Sequence, residues 1–285
     1  MKLIALDLDG TALNSKKEMT NETLQAIQKA QQQGHIVMAL SGRPQKSINA
    51  TLAQYGLLCP VGANNGTALF VDGKLLNYIS LTSSHIQQIV KELENEQVPY
   101  NFATNKGQYA PNIWNDRLQN VLSSGRVPEE HYSNQYFKMF TTPPQVYGHT
   151  FFDDVYEIIH DSTFTLQKFL IITLDPAQKE RLQSKLSSIE GIFITSSSPF
   201  NLEVTHIDGN KGTGLKMMAE HFNVPLENTV AIGDERNDIP MFKIAGLSIA
   251  MENAEDEVKK HSDVVTLSND ENGVAHAFEK YILNS

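Results

Sequence analysis

At 285 residues, the chain is long for a single compact core and comfortable for two domains. Its 23 basic and 33 acidic residues give a net charge of -10, which argues against nucleic acid as the main partner. Its single cysteine, Cys59, excludes an internal disulfide, and no apolar run is as long as a membrane span, so we expect a cytoplasmic protein without a membrane partner.

The first apolar run, Leu3 to Leu6, predicts a short buried strand that ends near Gly10. We expect Asp7 at the last position of this strand and Asp9 in the following loop, because two carboxylates on one face inside a strand would repel each other. Two carboxylates held this close usually share a cation or divide the roles of nucleophile and acid/base. The tetrapeptide Asp7-Leu8-Asp9-Gly10 alone is also compatible with an ordinary turn. The spacing from Asp7 to Gly10 excludes an EF-hand calcium loop.

Strand and helix patterns then alternate up to about residue 79. A polar helix pattern stops at Gly34, and the next apolar strand leads into Ser41–Arg43. For Asn64–Gly66 a turn before a hairpin is the favoured interpretation, and a place near a site is the alternative. The predicted elements are a helix over 20–33 and strands over 36–40, 60–63, 67–71 and 74–79.

From about residue 82 to residue 197 the pattern is longer and less regular. Helix patterns and strand-like pieces predict an α+β domain, which is inserted into an α/β domain formed by the rest of the chain. The predicted helices cover 82–97 and 176–189, and the predicted strands cover 137–140, 164–173, 192–195 and 202–205. We therefore expect a core domain of residues 1–82 and 198–285, and an inserted domain of residues 83–197.

After the insertion, strands and helices alternate again. Lys211 opens a predicted helix, in which Leu215, Met218 and Phe222 share a face, and a strand over 229–232 leads to Asp234. Further strands are predicted over 247–250 and 264–267, with helices over 239–244 and over the last fifteen residues. Strands separated by helices imply parallel, right-handed βαβ units.

Polar residues follow the predicted strands at the edge where their carboxyl ends meet. Asp7 and Asp9 follow the first strand, Ser41 follows the second and Asp234 a later one, while Lys211 opens the helix after the insertion. Ligands of open parallel sheets bind at this edge. Each residue alone can be explained as a cap, a turn residue or a surface charge, but their arrival at one edge favours a shared site.

Four motifs carry a family resemblance: Asp7-Leu8-Asp9-Gly10-Thr11, Ser41-Gly42-Arg43, Lys211, and Gly233-Asp234-Glu235-Arg236-Asn237-Asp238. With them the chain resembles the haloacid dehalogenase-like superfamily of phosphohydrolases, and most of all its Cof-type, type IIB branch, over essentially the whole length. The resemblance implies an α/β fold, with a Rossmann-like parallel sheet core and an inserted α+β cap of the C2 type that selects the substrate. It implies a Mg²⁺-dependent phosphatase of small-molecule phosphate monoesters, such as sugar phosphates, flavin mononucleotide or pyridoxal phosphate. We expect a monomer or a homodimer.

The resemblance also implies roles for individual residues. Asp7 is expected to attack phosphorus and form an aspartyl-phosphate, and Asp9 to act as acid and base with a pKa raised by neighbouring negative groups. For Arg43, a structural ion pair is an equal alternative to a contact with substrate. The expected Mg²⁺ ligands are Asp7, Asp9 (through its backbone carbonyl) and Asp234, with Asp238 as an outer-shell or water-mediated ligand. The expected phosphate or substrate ligands are Thr11, Ser41, Gly42, Arg43, Lys211 and Asn237.

Three alternatives stay open. A phosphotransferase or mutase would use the same intermediate, although the short spacing from Asp9 to Ser41 leaves little room for the helical cap usual in those relatives. A response-regulator receiver also uses Asp, Mg²⁺ and Lys, but it is much shorter and lacks a large insertion. A non-catalytic phospho-ligand binding protein would keep these residues without turnover. Within the inserted domain the candidates for substrate contact are Tyr109, Asn112, Trp114, Lys138 and His206, although aromatic residues there are more often core.

Overall fold

The computed structural model describes residues 1–161 and 163–283. Up to Tyr78, strands and helices alternate and then give way to a hairpin. In chain order these elements are β1 (Leu3–Leu6), α1 (Asn21–Gln32), β2 (Ile36–Leu40), α2 (Gln45–Gln54), β3 (Val61–Ala63), β4 (Ala68–Val71) and β5 (Lys74–Tyr78). Helix α1 begins where the Thr20 hydroxyl accepts a hydrogen bond from the Thr23 N–H. The hairpin turns at Asp72 and Gly73, which both have positive φ, as a tight two-residue turn requires.

The middle of the chain mixes helices and strands without regular alternation. Its elements are α3 (Ser83–Glu96), β6 (Tyr100–Thr104), β7 (Gly107–Pro111), α4 (Trp114–Leu122), α5 (Phe137–Thr141), β8 (Thr150–Phe152), α6 (Val155–His160), β9 (Leu166–Ile172), α7 (Pro176–Leu186), β10 (Ile192–Thr195) and β11 (Asn201–His206).

The prediction of a strand over 137–140 is wrong, because these residues form helix α5. Phe137 and Phe140 both pack against the ring of Phe200. Residues three positions apart share a face of a helix, whereas in a strand they point to opposite faces. A helix is therefore the conformation that lets both phenylalanines reach the same apolar cluster.

The last part of the chain returns to regular alternation. Its elements are α8 (Lys211–His221), β12 (Thr229–Gly233), α9 (Ile239–Phe242), β13 (Leu247–Ala250), α10 (Asp256–Lys259), β14 (Val264–Val265) and α11 (Gly273–Tyr281). Asn210 caps α8, because its side-chain oxygen accepts a hydrogen bond from the Thr213 N–H. This cap determines where the helix begins and so places Lys211 in its first turn.

One sheet combines the first and last parts of the chain in the order β14-β13-β12-β1-β2-β3-β4-β5. Its strands are parallel from β14 to β3, and the β3–β4 and β4–β5 pairs are antiparallel. Strand β1 is buried on both faces: Ile4 and Leu6 belong to an apolar cluster with α1 and α11, while Leu3 and Ala5 belong to one with α8 and α9. The predicted α/β fold with a parallel sheet is thereby confirmed.

The middle part builds a second sheet in the order β10-β11-β9-β6-β7-β8. Its pairs are antiparallel except for β7 with β8. On one face, Phe102 and Phe169 pack in a cluster with apolar side chains of α3 and α7. A second cluster joins Ile172 and Phe200 to α4 and α5. Each cluster buries enough large side chains to give this unit a core of its own.

The chain divides into two compact units, one of Met1–Tyr78 with the residues from Gly209 onward, and one of Ile79–Asp208. The boundaries expected from the sequence are residues 82/83 and 197/198. The second boundary moves because β11 pairs along its length with β9 and with β10, so its hydrogen bonds belong to the inserted unit. Among the described residues, the helices are all too short or too polar to cross a bilayer.

Candidate active site

The carboxyl ends of three adjacent strands bring polar side chains to one edge of the parallel sheet. Strand β1 pairs with β2 on one side and with β12 on the other. Asp7 therefore follows β1 between Ser41, which follows β2, and Asp234, which follows β12. The Asp7 N–H donates to the carbonyl of Ile232 at 3.0 Å, which extends the strand pairing to the site. This edge is where parallel sheets bind ligands.

Lys211 is the positive centre of this edge. Its ammonium group donates to Asp7 Oδ1 at 2.6 Å and to Asp238 Oδ1 at 2.5 Å. The side chains of Lys211 and Asp238 are fully buried. Burial alone would lower the pKa of Lys211, but the two carboxylates raise it above its usual range, so the ammonium stays charged. A buried cation with two buried anions is thus built into the sheet edge.

Asp238 organises the loop that carries Asp234. Its second oxygen, Oδ2, accepts hydrogen bonds from the N–H groups of Asp234 and Glu235, each at 2.9 Å. Gly233 makes room for this arrangement, since a Cβ there would lie 2.3 Å from the carboxyl carbon of Asp238. Both oxygens of Asp238 are therefore engaged within the protein. This geometry supports the loop and balances the charge of Lys211, and the expected contribution of Asp238 to metal binding stays a prediction.

Asp234 lies against the loop after β1. The Thr11 hydroxyl donates to Asp234 Oδ1 at 2.6 Å. Gly10 has a φ of 76°, and a Cβ at this position would lie 2.1 Å from Asp234 Oδ2. Glycine is thus required here both by conformation and by space. The Thr11 hydroxyl therefore contacts the Asp234 carboxylate, and its expected contact with phosphate stays a prediction.

Three buried carboxylates converge at this point. Oxygens of Asp7, Asp234 and Asp238 lie within 4.8 Å of one another. Burial, with the nearby Asp238 charge opposing the effect of Lys211, raises the pKa of Asp7 to about 7, and burial together with Asp7 raises that of Asp234 well above its usual value. Such carboxylates repel one another unless positive charge is added. The set fits a divalent cation that prefers hard oxygen ligands, with Asp7 and Asp234 as the residues that would hold it.

Asp9 has a different environment. The Arg43 guanidinium donates to both of its carboxylate oxygens at 2.6 Å, and the Lys17 ammonium donates to Oδ1 at 2.9 Å. Arg43 is itself anchored through a hydrogen bond to the Thr51 hydroxyl at 3.0 Å. The ion-pair alternative for Arg43 is therefore observed, and its expected contact with substrate stays a prediction.

The expectation of a raised pKa for Asp9 is wrong. Burial by itself raises the pKa of this carboxyl, but the hydrogen bonds and charges of Arg43 and Lys17 outweigh burial and hold the pKa below its usual value. The carboxyl of Asp9 faces the cations Arg43 and Lys17, and not the negative groups expected from the sequence. In this geometry Asp9 is ionised at neutral pH.

The loop after β2 is held by the Asn64–Gly66 turn. The Asn65 N–H donates to the Ser41 carbonyl and the Asn64 N–H donates to the Arg43 carbonyl, both at 3.0 Å. All three residues of the turn have positive φ, a strained arrangement for asparagine. The predicted turn is present, and it also fixes the backbone of the Ser41–Arg43 loop.

The same turn connects to the loop after β12. The side-chain oxygen of Asn65 accepts a hydrogen bond from Asn237 Nδ2 at 3.2 Å, and Gly42 lies beside it, since a Cβ there would be 3.0 Å from this oxygen. Gly42 and Asn237 thus lie beside the Asn65 side chain, with Ser41 next to Gly42 in the loop, and the roles of these three residues as phosphate ligands stay a prediction. Asn65 was only weakly indicated by sequence, through an Asn-Gly pair that is also typical of ordinary turns.

Two further residues at the site were missed by sequence analysis. Lys17 pairs with Asp9, and Asn253 donates to the Gly10 carbonyl at 2.9 Å. Neither residue is part of a recognisable motif, because each lies in a loop that only the folded chain brings close to Asp9 or Gly10.

The candidate substrate contacts of the inserted unit have mixed surroundings. Trp114 is buried in the cluster with α4 and α5, and Tyr109 stacks on Phe102, so both serve packing. Asn112 donates to Asp153, while His206 lies beside His85. Lys138 lies in α5. For Tyr109 and Trp114 these contacts agree with the alternative that aromatic residues of the inserted domain belong to its core.

The chain matches known proteins over nearly its whole length. A family model described as haloacid dehalogenase-like hydrolase matches residues 4–278. The chain is 31% identical to Phosphatase YwpJ of Bacillus subtilis, over 97% of this chain and 98% of that protein. It is 28% identical to the 5-amino-6-(5-phospho-D-ribitylamino)uracil phosphatase YwtE of the same organism, over 99% and 98% of the two chains.

A solved structure agrees with the architecture. The structure of a haloacid dehalogenase-like hydrolase from B. subtilis aligns with a TM-score of 0.83 at 29% sequence identity. The alignment covers 99% of this chain and 100% of that chain, so both compact units have counterparts in it.

Proposed function

The chain belongs to the haloacid dehalogenase-like hydrolase family, and from this membership we propose that it is a Mg²⁺-dependent phosphatase that hydrolyses small-molecule phosphate monoesters through an aspartyl-phosphate on Asp7. The observation that supports this most directly is the placement of Asp7. It is buried at the carboxyl end of the central strand, with Lys211 on one oxygen and Asp234 nearby. A dianionic ester can approach a carboxylate nucleophile only where positive charge offsets the repulsion.

The residues divide the reaction between them. An Asp7 oxygen forms a bond to phosphorus while the bond from phosphorus to the leaving oxygen breaks, and the leaving oxygen takes up a proton from the protonated form of Asp9. Water then attacks the phosphorus of the aspartyl-phosphate, which frees Asp7 and inorganic phosphate. Lys211, the Ser41 hydroxyl and the Gly42 N–H bind the phosphate oxygens and stabilise the transferring group. A bound Mg²⁺ supplies charge neutralisation and alignment of the phosphoryl group.

Asp9 is suited to the second step in the geometry observed. Its carboxylate is kept ionised by Arg43 and Lys17, which is the form that accepts a proton from water. To donate a proton to the leaving group, Asp9 has to separate from the Arg43 guanidinium. We therefore propose that Asp9 is the base in hydrolysis of the intermediate, and that its role as acid requires this separation.

Substrate choice is proposed to lie in the inserted unit, residues Ile79–Asp208. A cap that excludes water and contacts the leaving group is how such a site gains selectivity. Sugar phosphates and phosphorylated cofactors are the proposed substrate class. The name of one relative adds 5-amino-6-(5-phospho-D-ribitylamino)uracil to the compounds worth testing.

The test is phosphate release from a panel of these monoesters, measured with Mg²⁺ and with chelator. We expect Mg²⁺-dependent release from the parent and a loss of at least about a thousandfold in Asp7→Asn, because the nucleophile is removed. Asp72→Asn, the same change in the β4–β5 turn, should match the parent. Near-parental activity of Asp7→Asn would contradict the covalent mechanism. No release from any ester would favour a phosphotransferase or a binding protein.

A further inference from the structure

Asn253 follows β13 and contacts the loop after β1 through its side chain. Its Nδ2 donates to the Gly10 carbonyl at 2.9 Å and lies 3.4 Å from Asp234 Oδ2. Its Oδ1 accepts a hydrogen bond from the Asn269 N–H at 3.0 Å. Both ends of this amide are therefore engaged, so the side chain has one orientation, and its donor group is directed at the carboxylate cluster.

Asp234 is thus contacted on both of its oxygens. Thr11 donates to Oδ1 at 2.6 Å, and Asn253 approaches Oδ2. Gly10, which has no side chain, permits the close approach of the carboxylate to the loop. A carboxylate held from two sides already has the orientation that a cation requires. Its side chain therefore loses less conformational entropy when the cation binds.

We propose that Asn253 is a positioning residue that holds the Asp234 carboxylate in place for the divalent cation, while its hydrogen bond to the Gly10 carbonyl fixes the loop beside it. The inference rests on the proposed function, which makes Asp234 a metal ligand. Asn253 would act through Asp234 and would not itself bind the metal. Loss of such a partner of a ligand typically weakens metal affinity by about ten- to a hundredfold.

Asn269 provides a matched comparison, because it supports the same loop without contacting Asp234. Its Nδ2 donates to the Leu13 carbonyl at 3.0 Å. Substituting its side chain leaves the backbone N–H that Asn253 accepts from. Asn253→Ala and Asn269→Ala therefore each remove one side-chain donor to a carbonyl of the loop, and they differ in the contact with Asp234.

The experiment measures Mg²⁺ binding to the full chain by calorimetry, without substrate. Asn253→Ala and Asn253→Leu should weaken Mg²⁺ affinity by about tenfold or more. Asn269→Ala should stay within about twofold of the parent, because its side chain contacts the Leu13 carbonyl and not Asp234. Thermal unfolding in chelator confirms that each variant is folded, and the leucine variant retains side-chain bulk.

Parental Mg²⁺ affinity in either folded Asn253 variant would overturn the inference. An equal loss in Asn269→Ala would also overturn it, because support of the loop would then explain the effect without Asp234. Failure of the proposed function is distinguishable from both results. A parent that neither binds Mg²⁺ nor releases phosphate contradicts the proposed function and this inference together, whereas a parent that does both, with unchanged variants, contradicts this inference alone.

Discussion

Asp7 and Asp9 are two residues apart, and their carboxylates have opposite surroundings. Asp7 is buried near Asp234 and Asp238, with Lys211 as its cation. Asp9 is more than a third exposed and lies between Arg43 and Lys17. Burial raises the pKa of Asp7 to about 7, whereas for Asp9 the two cations outweigh burial and lower the pKa. The same side chain is thus given two chemical roles by its neighbours.

The physical cause of the difference is how far each residue lies beyond the end of strand β1 at Leu6. Asp7 directly follows the strand, at the edge of the sheet beside β12 and the loop that carries Asp234. Asp9 is past the strand, in a loop that reaches Arg43 after β2 and Lys17 further along the same loop. Burial among anions suits a nucleophile that awaits a cation. Exposure to water and to cations suits a base that must exchange protons.

The largest expected effect comes from removing the cation on the Asp7 side. Lys211→Met leaves two buried carboxylates without their ammonium partner, so we expect a loss of stability of about 3–5 kcal/mol. Phosphatase activity should fall by about a hundredfold or more, since a donor to the transferring group is lost. Urea unfolding and steady-state kinetics measure the two effects. Lys216→Met, the same change at an exposed position of α8, should alter stability by less than about 0.5 kcal/mol. Equal behaviour of the two variants would show that Lys211 does not stabilise the cluster.

The second effect concerns stability against pH in chelator. Between its usual pKa of 3.8 and about 7, Asp7 binds a proton in the folded chain that the unfolded chain has released. Stability should therefore fall as pH rises from about 4 to 7, by on the order of a few kcal/mol, and the raised pKa of Asp234 acts in the same direction. The pKa of Glu235, raised to about 7 by burial and by Asp238, contributes in the same direction. Saturating Mg²⁺ should flatten the slope, because it favours the ionised carboxylates.

Two variants with the same chemical change separate the carboxylates in this experiment. Asp7→Asn should reduce the slope between pH 4 and 7. Asp9→Asn should leave it unchanged in that range, because the lowered pKa of Asp9 places the loss of its ion-pair stabilisation below about pH 3.8. Denaturant unfolding across this pH range measures both. If Asp9→Asn reduced the dependence of stability on pH as much as Asp7→Asn does, the opposite pKa shifts assigned to the two residues would be contradicted.

The smallest effects are expected on the Asp9 side. Arg43→Met removes two charge-assisted hydrogen bonds, so the pKa of Asp9 should rise and the acidic limb of the pH profile of kcat/KM should move to higher pH. We expect a loss of about tenfold below neutral pH. Lys17→Met should cost less than about fivefold, because the Lys17 side chain is half exposed and its ion pair is screened. If the acidic limb moved further in Lys17→Met than in Arg43→Met, Lys17 and not Arg43 would be the stronger partner of Asp9.

Much of the site was accessible from sequence because its residues follow strands. The apolar runs before Asp7, Ser41 and Asp234 predict three parallel strands, and parallel strands bring their carboxyl ends to one edge. The family match over residues 4–278 confirms the resemblance drawn from the motifs. The strand predicted over 137–140 failed because periodicity over four residues cannot separate a strand from a helix.

By itself, the sequence determined the alternating strands and helices of the parallel core and which polar residues follow its strands, since hydrophobic periodicity follows from local residue types. Only the tertiary structure decided what surrounds each side chain. Arg43 reaches Asp9 from 34 positions away, and Asn253 reaches Gly10 from 243 positions away. A pKa depends on the distance to charges and on burial, which are properties of the folded chain and not of spacing along it.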